Sequence, residues 1–453
     1  MIRKNPTIVV LGGGPAGRIA SIRLASAGKE VRLIERGGLA GIGGQCLHFG
    51  CMPVCALNDV ARTIHSFHTF GRLGILDASP VLNFSKMLAE MHAIQATIAS
   101  VLDAETKSAG VDIIYGKTGR LEGKTVFLED EKIGADSVIA ATGSRPHLPE
   151  ILGIDLPEVF TPHSLYNLEK IPKKLSIIGG GVMAAEFAYI FSTFGSEVTL
   201  LCRSGFLKDI DKHLRVLALK DLAAVDIQEK TQVQSINGSS RVETLTLEKE
   251  GETCMHETDT VLIAAGLVPR SEMISGIKKG AWGEIIVDGH MQTSVPEVYA
   301  CGDVVGPPYL TPVARHQGIV AADNILGIPR AIDYRYIPQS LNLSQELAFC
   351  CTGEEGSASL AIPGPAGPGT FWKVPSRDTG LAKILLNKDN GTINGVCAAG
   401  PGGGLITGYM AFLMSRHISV HDFEEFIEVH PSTDGVYGLA KYASGQLRKR
   451  KNT

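Results

Sequence analysis

The sequence predicts an α/β protein made of two doubly wound units followed by a C-terminal α+β part. A β-type run from Thr7 to Leu11 leads into a glycine-rich turn and a helical pattern. The same order returns from Leu175, about 167 residues later. The last third changes to alternating strands and one further helix. At 453 residues the chain is long enough for about three domains.

The elements can be placed in order from their apolar periodicity and their turns. In the first unit we predict a strand at Thr7 to Leu11, a helix to about Ala27 and a strand from Glu30 to Ile34. In the second we predict strands at Leu175 to Ile178 and Val198 to Leu201, around a helix to about Phe194. We also predict two strands that each end in a turn: Ser137 to Ala141 before the turn Thr142 to Pro146, and Val261 to Ala265 before the turn Gly266 to Pro269. In the last third we predict a loop from Pro363 to Gly369, a strand from Ala382 to Leu386 and a helix from Leu405 to Ser415. The tail from Arg448 to Lys451 is predicted to be charged and solvated.

The two glycine-rich turns predict two Rossmann-like dinucleotide sites. In each, the first glycine permits a tight turn, the second lets the backbone approach a pyrophosphate, and the third position keeps helix and strand close. The pyrophosphate then sits at the helix N-terminus, where unpaired N–H groups favour an anion. The predicted contacts are Gly12, Gly14, Pro15, Ala16 and Gly17 in the first unit, and Gly179, Gly181, Val182, Met183 and Ala184 in the second.

The two units differ where the ribose is recognised. Eighteen residues after Gly17 stands Glu35, a carboxylate suited to accept hydrogen bonds from a ribose 2′-hydroxyl. Eighteen residues after Ala184 stands Cys202, followed by Arg203. A missing acid beside a cation accommodates a 2′-phosphate. We therefore predict NADPH in the second unit, with NADH as the alternative.

Composition excludes several classes of function. A net charge of −4 argues against a nucleic-acid or anionic-membrane partner. No stretch approaches the roughly 20 apolar residues that a membrane span needs, and the apolar run after the basic start Met1 to Lys4 is too short for a signal peptide. Nine mostly scattered cysteines predict a reducing compartment, the cytoplasm. No set of metal ligands is predicted.

The segment from Gly43 to Pro53 carries the most informative chemistry. It places Cys46 and Cys51 five positions apart, behind a glycine pair and just ahead of a proline. In a non-secreted chain such thiols favour a redox pair over a structural crosslink. Proline prefers the first turn of a helix, so we predict a helix beginning just after Pro53, with Cys51 at its N-terminal edge. The positive end of that helix would lower the pKa of Cys51.

This segment resembles the redox-active disulfide of the flavin-dependent pyridine nucleotide–disulfide oxidoreductases, the family of dihydrolipoamide dehydrogenase, glutathione reductase and mercuric reductase. The run from Thr293 to Asp303 resembles the family's second flavin motif, which implies that Asp303 binds the ribityl chain of FAD. Leu310 to Ala314 is similar to the segment under the isoalloxazine ring. The resemblance implies further cofactor contacts from Gly44, Gln45, Thr118, Thr142, Gly143, Ser144, Gly266, Tyr309, Leu310, Thr311 and Pro312.

The resemblance also implies roles for the thiols, and it shows one departure. Cys51 would lie next to the flavin and Cys46 would exchange with the substrate disulfide. The family commonly reads Cys-x-Pro-Ser-Lys, but here Cys55 replaces the lysine while its glutamate partner is kept as Glu186. We expect Cys55 to be a small buried residue in the space of the lysine; a third active-site thiol is the alternative. Glu186 then needs another partner.

Near the C-terminus, Glu428 to Gly435 resembles the family's His-Pro-Thr-x-x-Glu segment. The resemblance implies that His430 is an acid–base catalyst sent to the thiols of the partner subunit. Gly435 stands at the position of the orienting glutamate. Asp434 either substitutes for that glutamate or is a plain solvent-facing charge. The adjacent pair Cys350 and Cys351 is expected to be two mid-strand core residues rather than a second active-site pair.

Together these features predict a homodimeric enzyme with an active site shared across the interface. The FAD-binding domain would be residues 1–150 with 272–333, the NAD(P)-binding domain 151–271 and the α+β dimerisation domain 334–453. The predicted reaction passes electrons from NADPH through FAD and the Cys46–Cys51 disulfide to a small disulfide, as in dihydrolipoamide dehydrogenase. The alternatives are a mercuric-reductase-like metal reductase, or an NAD(P)H oxidase, diaphorase or transhydrogenase with vestigial thiols. A non-catalytic FAD-binding subunit is disfavoured because the cofactor motifs are intact.

Overall fold

The computed structural model describes residues 7–38, 41–77, 79–353, 358–361, 380–430, 432 and 434–451. The chain divides into two compact units. The first comprises residues 1–56, 83–170 and 262–333, and the second comprises 57–82, 171–261 and 334–453. The predicted loop from Pro363 to Gly369 and the basic start lie outside the described residues. The predicted division into three domains stays a prediction.

Up to residue 325 the chain combines helices with parallel strands and with runs of strands that have no α-helix between them; after residue 325 an antiparallel sheet is followed by helices. The helices are α1 (Pro15–Ser26), α2 (Gly44–His48), α3 (Cys51–Arg72), α4 (Phe84–Ser108), α5 (Val182–Thr193), α6 (Lys212–Asp221), α7 (Thr311–Ile325), α8 (Gly403–Met414) and α9 (Gly435–Lys451). The strands are β1 (Thr7–Leu11), β2 (Glu30–Glu35), β3 (Asp112–Tyr115), β4 (Gly119–Glu122), β5 (Thr125–Leu128), β6 (Glu131–Ile133), β7 (Ser137–Ala140), β8 (Ser144–Pro146), β9 (Val159–Phe160), β10 (Lys174–Ile178), β11 (Glu197–Cys202), β12 (Asp226–Glu229), β13 (Thr231–Asn237), β14 (Thr244–Lys249), β15 (Glu252–Glu257), β16 (Thr260–Ile263), β17 (Leu267–Pro269), β18 (Ile274–Ser275), β19 (Val298–Ala300), β20 (Gln339–Asn342), β21 (Glu346–Cys351), β22 (Ala358–Ala361), β23 (Leu381–Leu386) and β24 (Ile393–Gly400).

The first unit is built on a parallel sheet with the strand order β19-β7-β1-β2-β3. The four residues Ile8 to Leu11 of β1 are fully buried, because this central strand has apolar neighbours on both faces. Helix α1 packs against α7. A smaller sheet has the order β18-β4-β5-β6. These strands and α1 confirm the first doubly wound unit that the sequence predicts.

Two predicted turns of the first unit are more ordered than expected. The segments after β7 and β16 were predicted as turns, but β8 and β17 within them pair as an antiparallel ribbon. The flanking backbone continues the pairing, with His147 N–H donating to Gly266 O at 2.9 Å and Arg270 N–H to Gly143 O at 2.8 Å. Pairing satisfies backbone groups that isolated turns would leave to water.

The second unit contains the second glycine-rich turn and the C-terminal region. Strands β12, β11 and β10 lie side by side in that order, and β12 is followed in the chain by the antiparallel meander β13-β14-β15. The C-terminal sheet has the order β20-β21-β24-β23-β22, and its pairings are antiparallel. One face of this sheet packs with α8 and α9 in a common apolar core. No helix among the described residues is long and apolar enough to cross a membrane.

Strand alternation divides the pair Cys350 and Cys351, which was expected to lie wholly in the core. Cys350 is buried in the core with α8 and α9, whereas Cys351, the last residue of β21, is exposed. Neighbouring residues of a strand point to opposite faces of the sheet. The expectation is therefore correct for Cys350 and wrong for Cys351.

Candidate active site

The glycine-rich turn of the first unit has the geometry of a phosphate-binding loop. Gly12 has φ +108°, and a Cβ there would come within 2.3 Å of Ala141 O. A Cβ on Gly17 would come within 2.0 Å of Gly12 O, so the third glycine keeps helix and strand close. A Cβ on Gly14 would meet no atom nearer than 3.9 Å, and α1 begins after this glycine without a side-chain cap. This open, uncapped helix start suits an anion.

Glu35 lies at the end of β2 beside this turn. Its carboxylate accepts hydrogen bonds from Gly13 N–H at 2.7 Å and from Gly37 N–H at 2.8 Å. The residue is buried, so these contacts hold the carboxylate in a fixed position. Its predicted role on a ribose hydroxyl stays a prediction.

The second glycine-rich turn repeats this geometry. Gly179 has φ +149°, and a Cβ on Gly180 would come within 2.4 Å of Gly205 O. A Cβ on Gly181 would meet no atom within 4 Å, and α5 starts at Val182 without a side-chain cap. Both turns therefore leave space and backbone N–H groups where a pyrophosphate would bind.

At the end of β11 the structure separates the two residues that were predicted to set ribose selectivity. Cys202 is buried, its thiol donates to Gly179 O at 3.4 Å, and burial raises its pKa to about 12. Cys202 therefore packs beneath the turn. Arg203 is exposed and forms no ion pair or hydrogen bond with the described residues. The nearby acid, Glu229, is already bound by Arg215 Nη2 at 2.7 Å and by Phe206 N–H at 2.6 Å.

The two thiols of the redox motif are held directly on the first phosphate-binding turn. Cys46 lies on the short helix α2, which the sequence did not predict, and Cys51 is the first residue of α3. The predicted helix start after Pro53 was three residues late, because a proline in the first turn lacks only an N–H that has no helical acceptor. Before α2, Gly43 N–H donates to Gly13 O at 2.9 Å. A Cβ on Gly44 would come within 2.8 Å of Gly14 Cα.

The thiols are electrostatically unequal. The hydrogen bond from Cys46 is the largest influence on Cys51 and, with a contact from Thr311, lowers the pKa of Cys51 to about 6 against the opposing effect of burial. The Sγ of Cys51 lies 3.5 Å from Thr311 Oγ1. The same hydrogen bond and burial raise the pKa of Cys46 above its usual range. The reduced pair is therefore a Cys51 thiolate that accepts a hydrogen bond from a Cys46 thiol.

A chain of polar contacts beside the thiols includes a residue that sequence reasoning missed. Ser144 Oγ donates to Asp303 Oδ2 at 2.6 Å, and burial raises the pKa of Asp303. Gln45 Oε1 accepts from His163 Nε2 at 3.0 Å, and the His163 ring stacks on Phe49 with centroids 4.7 Å apart. Burial lowers the pKa of His163 to about 4, so the ring is neutral. No motif in the sequence marks His163; only the fold brings it to Gln45.

The other predicted flavin contacts are distributed around the same unit. Thr142 Oγ1 donates to Arg270 O at 2.6 Å, so its hydroxyl holds the backbone next to Gly143. Leu310, Thr311 and Pro312 form the start of α7, which has no side-chain cap. Burial raises the pKa of Tyr309. Thr118 is exposed between β3 and β4, and Gly266 has φ +106°.

The structure corrects the expectation for Cys55 and gives Glu186 a partner. Cys55 is exposed, not buried, because it lies one helical turn after Cys51 on the same exposed face of α3, while Val54 faces the core. Glu186, on α5, is buried and accepts from Asn342 N–H at 2.8 Å and from Asn342 Nδ2 at 3.2 Å. Asn342, on β20, is thus a partner of the glutamate in a chain that lacks the family lysine.

The C-terminal segment brings His430 and Asp434 together. His430 Nδ1 lies 2.5 Å from Asp434 Oδ2. The histidine side chain is 69% exposed, whereas that of Asp434 is 8% exposed. Asp434 immediately precedes α9, and its carbonyl accepts from Tyr437 N–H at 2.9 Å. The sequence left open whether Asp434 contacts His430, and the structure shows this contact. Pro431 and Thr433 of this motif lie outside the described residues.

Comparison with known proteins decides the family. The sequence profile of the pyridine nucleotide-disulphide oxidoreductase family matches residues 6–318. The chain belongs to this family. It is therefore an oxidoreductase of the class that couples a pyridine nucleotide to a disulfide.

Individual relatives match this chain over nearly its whole length. The chain is 29% identical to a dihydrolipoyl dehydrogenase from Haemophilus influenzae, over 96% of this chain and 94% of the relative. The fold is similar to that of LpdA from Mycobacterium tuberculosis, with a TM-score of 0.85, 23% identity and coverage of 97% of this chain and 99% of the other. It is also similar to the flavoprotein disulfide reductase RclA from Escherichia coli, with a TM-score of 0.80, 22% identity and 98% coverage of both chains.

Proposed function

We propose that this protein is an FAD-dependent disulfide reductase that uses NAD(P)H and acts on a small disulfide through Cys46 and Cys51. The observation that carries the proposal is the unequal thiol pair, held against the phosphate-binding turn of the first unit. Burial and the hydrogen bond to Cys51 keep the proton on Cys46, and the same hydrogen bond stabilises the negative charge on Cys51. A structural pair of cysteines would need no such polarisation.

The residues of the first unit fit FAD. The uncapped start of α1 at Gly14 and Pro15 would hold the pyrophosphate, Glu35 the ribose and Asp303 the ribityl chain. The space beside Gly14 is what a bound phosphate requires. FAD, when bound, would supply electron transfer between the nicotinamide nucleotide and the disulfide. The protein supplies the binding site and the thiols.

We propose NADPH as the preferred nucleotide. Arg203 is exposed and has no ion-pair partner among the described residues, and Lys208 follows it closely with the same properties. Glu229, the neighbouring acid, has its charge bound by Arg215, which leaves it less able to repel a 2′-phosphate. Two cations that are unpaired among the described residues and an acid whose charge is balanced by an ion pair favour a phosphate at this position.

The thiol chemistry follows from the arrangement of Cys46, Cys51 and His430. Cys46 loses its proton to the His430 imidazole and attacks the substrate disulfide, forming a mixed disulfide. The imidazolium returns the proton to the departing thiolate. Cys51 then attacks Cys46 Sγ, which restores the Cys46–Cys51 disulfide and releases the second substrate sulfur as a thiolate that takes a proton from water. Asp434 at Nδ1 would fix the tautomer of His430 that leaves Nε2 available.

We propose that the protein is a homodimer in which each copy supplies His430 to the other. Leu405, Tyr409 and Phe412, spaced along one face of α8, are exposed apolar side chains. Ile427 and Val429, beside His430, are 91% and 78% exposed. Apolar side chains at such exposure mark an interaction surface. A second copy on this surface would cover them and carry His430 to a neighbouring thiol pair.

The test is disulfide turnover by the purified FAD-loaded protein with NADPH. We expect reduction of lipoamide or another small disulfide, and we expect Cys46→Ser to abolish it. Cys254→Ser, which changes an exposed cysteine on β15, is the matched control and should be neutral. Dye reduction without disulfide turnover, unaffected by Cys46→Ser, would instead establish a diaphorase.

A further inference from the structure

The helix that contacts the thiols carries a cation that the reaction described above does not use. Thr311 is the first residue of α7, and its hydroxyl lies 3.5 Å from Cys51 Sγ. Arg315 lies one helical turn further along, on the same face of α7 as Thr311. Its positive charge is close enough to Cys46 to act on that thiol and lower its pKa, against the larger effects of Cys51 and burial.

Arg315 has the properties of a binding residue more than those of a structural one. Its side chain is exposed, and it forms no hydrogen bond or ion pair with any described residue. Several other arginines of this unit are paired: Arg18 with Glu105, Arg23 and Arg330 with Asp323, and Arg145 with Glu272. An arginine presents five N–H donors in a planar fork that matches a carboxylate or phosphate. Arg315 therefore places a guanidinium that is unpaired among the described residues close enough to Cys46 for its charge to act on that thiol.

We propose that Arg315 binds an oxyanion carried by the substrate, so that the enzyme selects disulfides with a carboxylate or phosphate near the sulfur atoms. The proposal rests on the disulfide reductase function proposed above. Arg315 would hold the anion while Cys46 forms its bond to one substrate sulfur and the substrate S–S bond breaks. The departing thiolate takes its proton from His430, and the electrons come from NADPH in the preceding half-reaction. Arg315 exchanges no proton or electron.

The test uses three disulfides that share a two-carbon spacer between each sulfur and a terminal group of different charge: dithiodipropionate (anionic), hydroxyethyl disulfide (neutral) and cystamine (cationic). For the native enzyme we expect kcat/KM to be about tenfold higher for the anionic than for the neutral disulfide, the low end for a hydrogen bond to a charged group. Arg315→Gln should remove this preference, Arg315→Lys should keep part of it, and Arg315→Glu should shift it towards cystamine. Lys124→Gln removes an exposed cation of the same unit and should change nothing.

A second measurement does not depend on turnover. The Cys46 thiol of the reduced FAD-loaded enzyme is alkylated with iodoacetate (anionic) or iodoacetamide (neutral), and the modified Cys46 peptide is quantified. Arg315→Gln should lower the iodoacetate-to-iodoacetamide rate ratio at Cys46, while Lys124→Gln should leave it unchanged.

The outcomes separate the two proposals. An equal loss with all three disulfides, or an unchanged alkylation ratio in Arg315→Gln, would overturn the anion site. No turnover of any disulfide by the native enzyme, together with a lowered alkylation ratio in Arg315→Gln, would overturn the proposed function and leave the anion site standing.

Discussion

The contact between His430 and Asp434 leads to the sharpest prediction, the effect of Asp434→Asn on disulfide turnover. The Asp434 carboxylate lies 2.5 Å from His430 Nδ1 and accepts a charge-assisted hydrogen bond from this nitrogen. An asparagine keeps the size of the side chain and remains a good residue before a helix, so α9 should still begin at Gly435. Its amide, however, can present N–H to Nδ1 and so favour the wrong tautomer.

The size of the effect follows from the exposure of the ring. A hydrogen bond to a charged group contributes about 1.5–3 kcal/mol, or roughly 10- to 150-fold in rate at 1.36 kcal/mol per tenfold. The His430 side chain is 69% exposed, so water competes for the bond and the low end applies. We expect Asp434→Asn to lower kcat/KM for a small disulfide about tenfold. His430→Ala should cost at least about 100-fold, the low end for general acid–base catalysis.

The assay separates the two halves of the reaction. Stopped-flow reduction by NADPH should be unchanged in Asp434→Asn, because His430 acts only on the thiols. Glu428→Gln is the control: it removes a carboxylate two residues from His430 that is engaged with Lys441 at 2.5 Å. If Glu428→Gln matched Asp434→Asn, general charge rather than the Nδ1 bond would be responsible. Native turnover in Asp434→Asn alongside a slow His430→Ala would refute the orienting role.

Three further predictions follow from the same structure. The rate of alkylation of Cys51 in the reduced enzyme should be half-maximal near pH 6 and should fall at lower pH, because the thiolate is protonated there. Thr311→Val should move this midpoint to higher pH. A midpoint near that of an ordinary cysteine would contradict the thiolate assignment. Arg203→Gln should lower kcat/KM for NADPH while changing that for NADH little, and equal efficiencies of the two nucleotides in the native enzyme would remove the basis for this expectation. Gly435→Glu should change native activity little, since Asp434 already holds His430, but should restore part of the loss in Asp434→Asn; the absence of rescue in the double variant would argue against a shared orienting position.

Much of the fold was predictable because local patterns dictate it. The strands β1 and β2, the helices α1 and α5 and the two glycine-rich turns lie where the apolar periodicity and the glycines place them. At Gly12 and Gly17 the steric reason is direct, since a Cβ would collide with backbone oxygens. The start of α3 was misjudged because the local signal, a proline near the beginning of a helix, fits more than one starting residue. A proline is compatible with several positions of a first turn.

The predictions for single cysteines show where local reasoning fails. Cys55 was expected to be buried because a small apolar residue replaces a lysine, yet the helix phase that exposes Cys51 exposes Cys55 too. Cys202 was placed among cofactor contacts by its distance along the chain, and that role stays a prediction; its side chain lies beneath the turn, with the thiol on Gly179 O. Spacing gives the position of a residue along the chain and not the direction of its side chain.

The sequence by itself determined the family and the two dinucleotide units, and it predicts the thiol pair and the histidine, because each depends on residues close together in the chain. Only the tertiary structure decided which distant groups act on them. Thr311 and Arg315 approach the thiols across more than 250 positions, His163 reaches Gln45, and Asn342 supplies a partner for Glu186. A pKa depends on charges, hydrogen bonds and burial within a few ångströms. The polarisation of Cys46 and Cys51 therefore combines their local hydrogen bond with burial and the contact from Thr311, and only these last two depend on packing that no local pattern encodes.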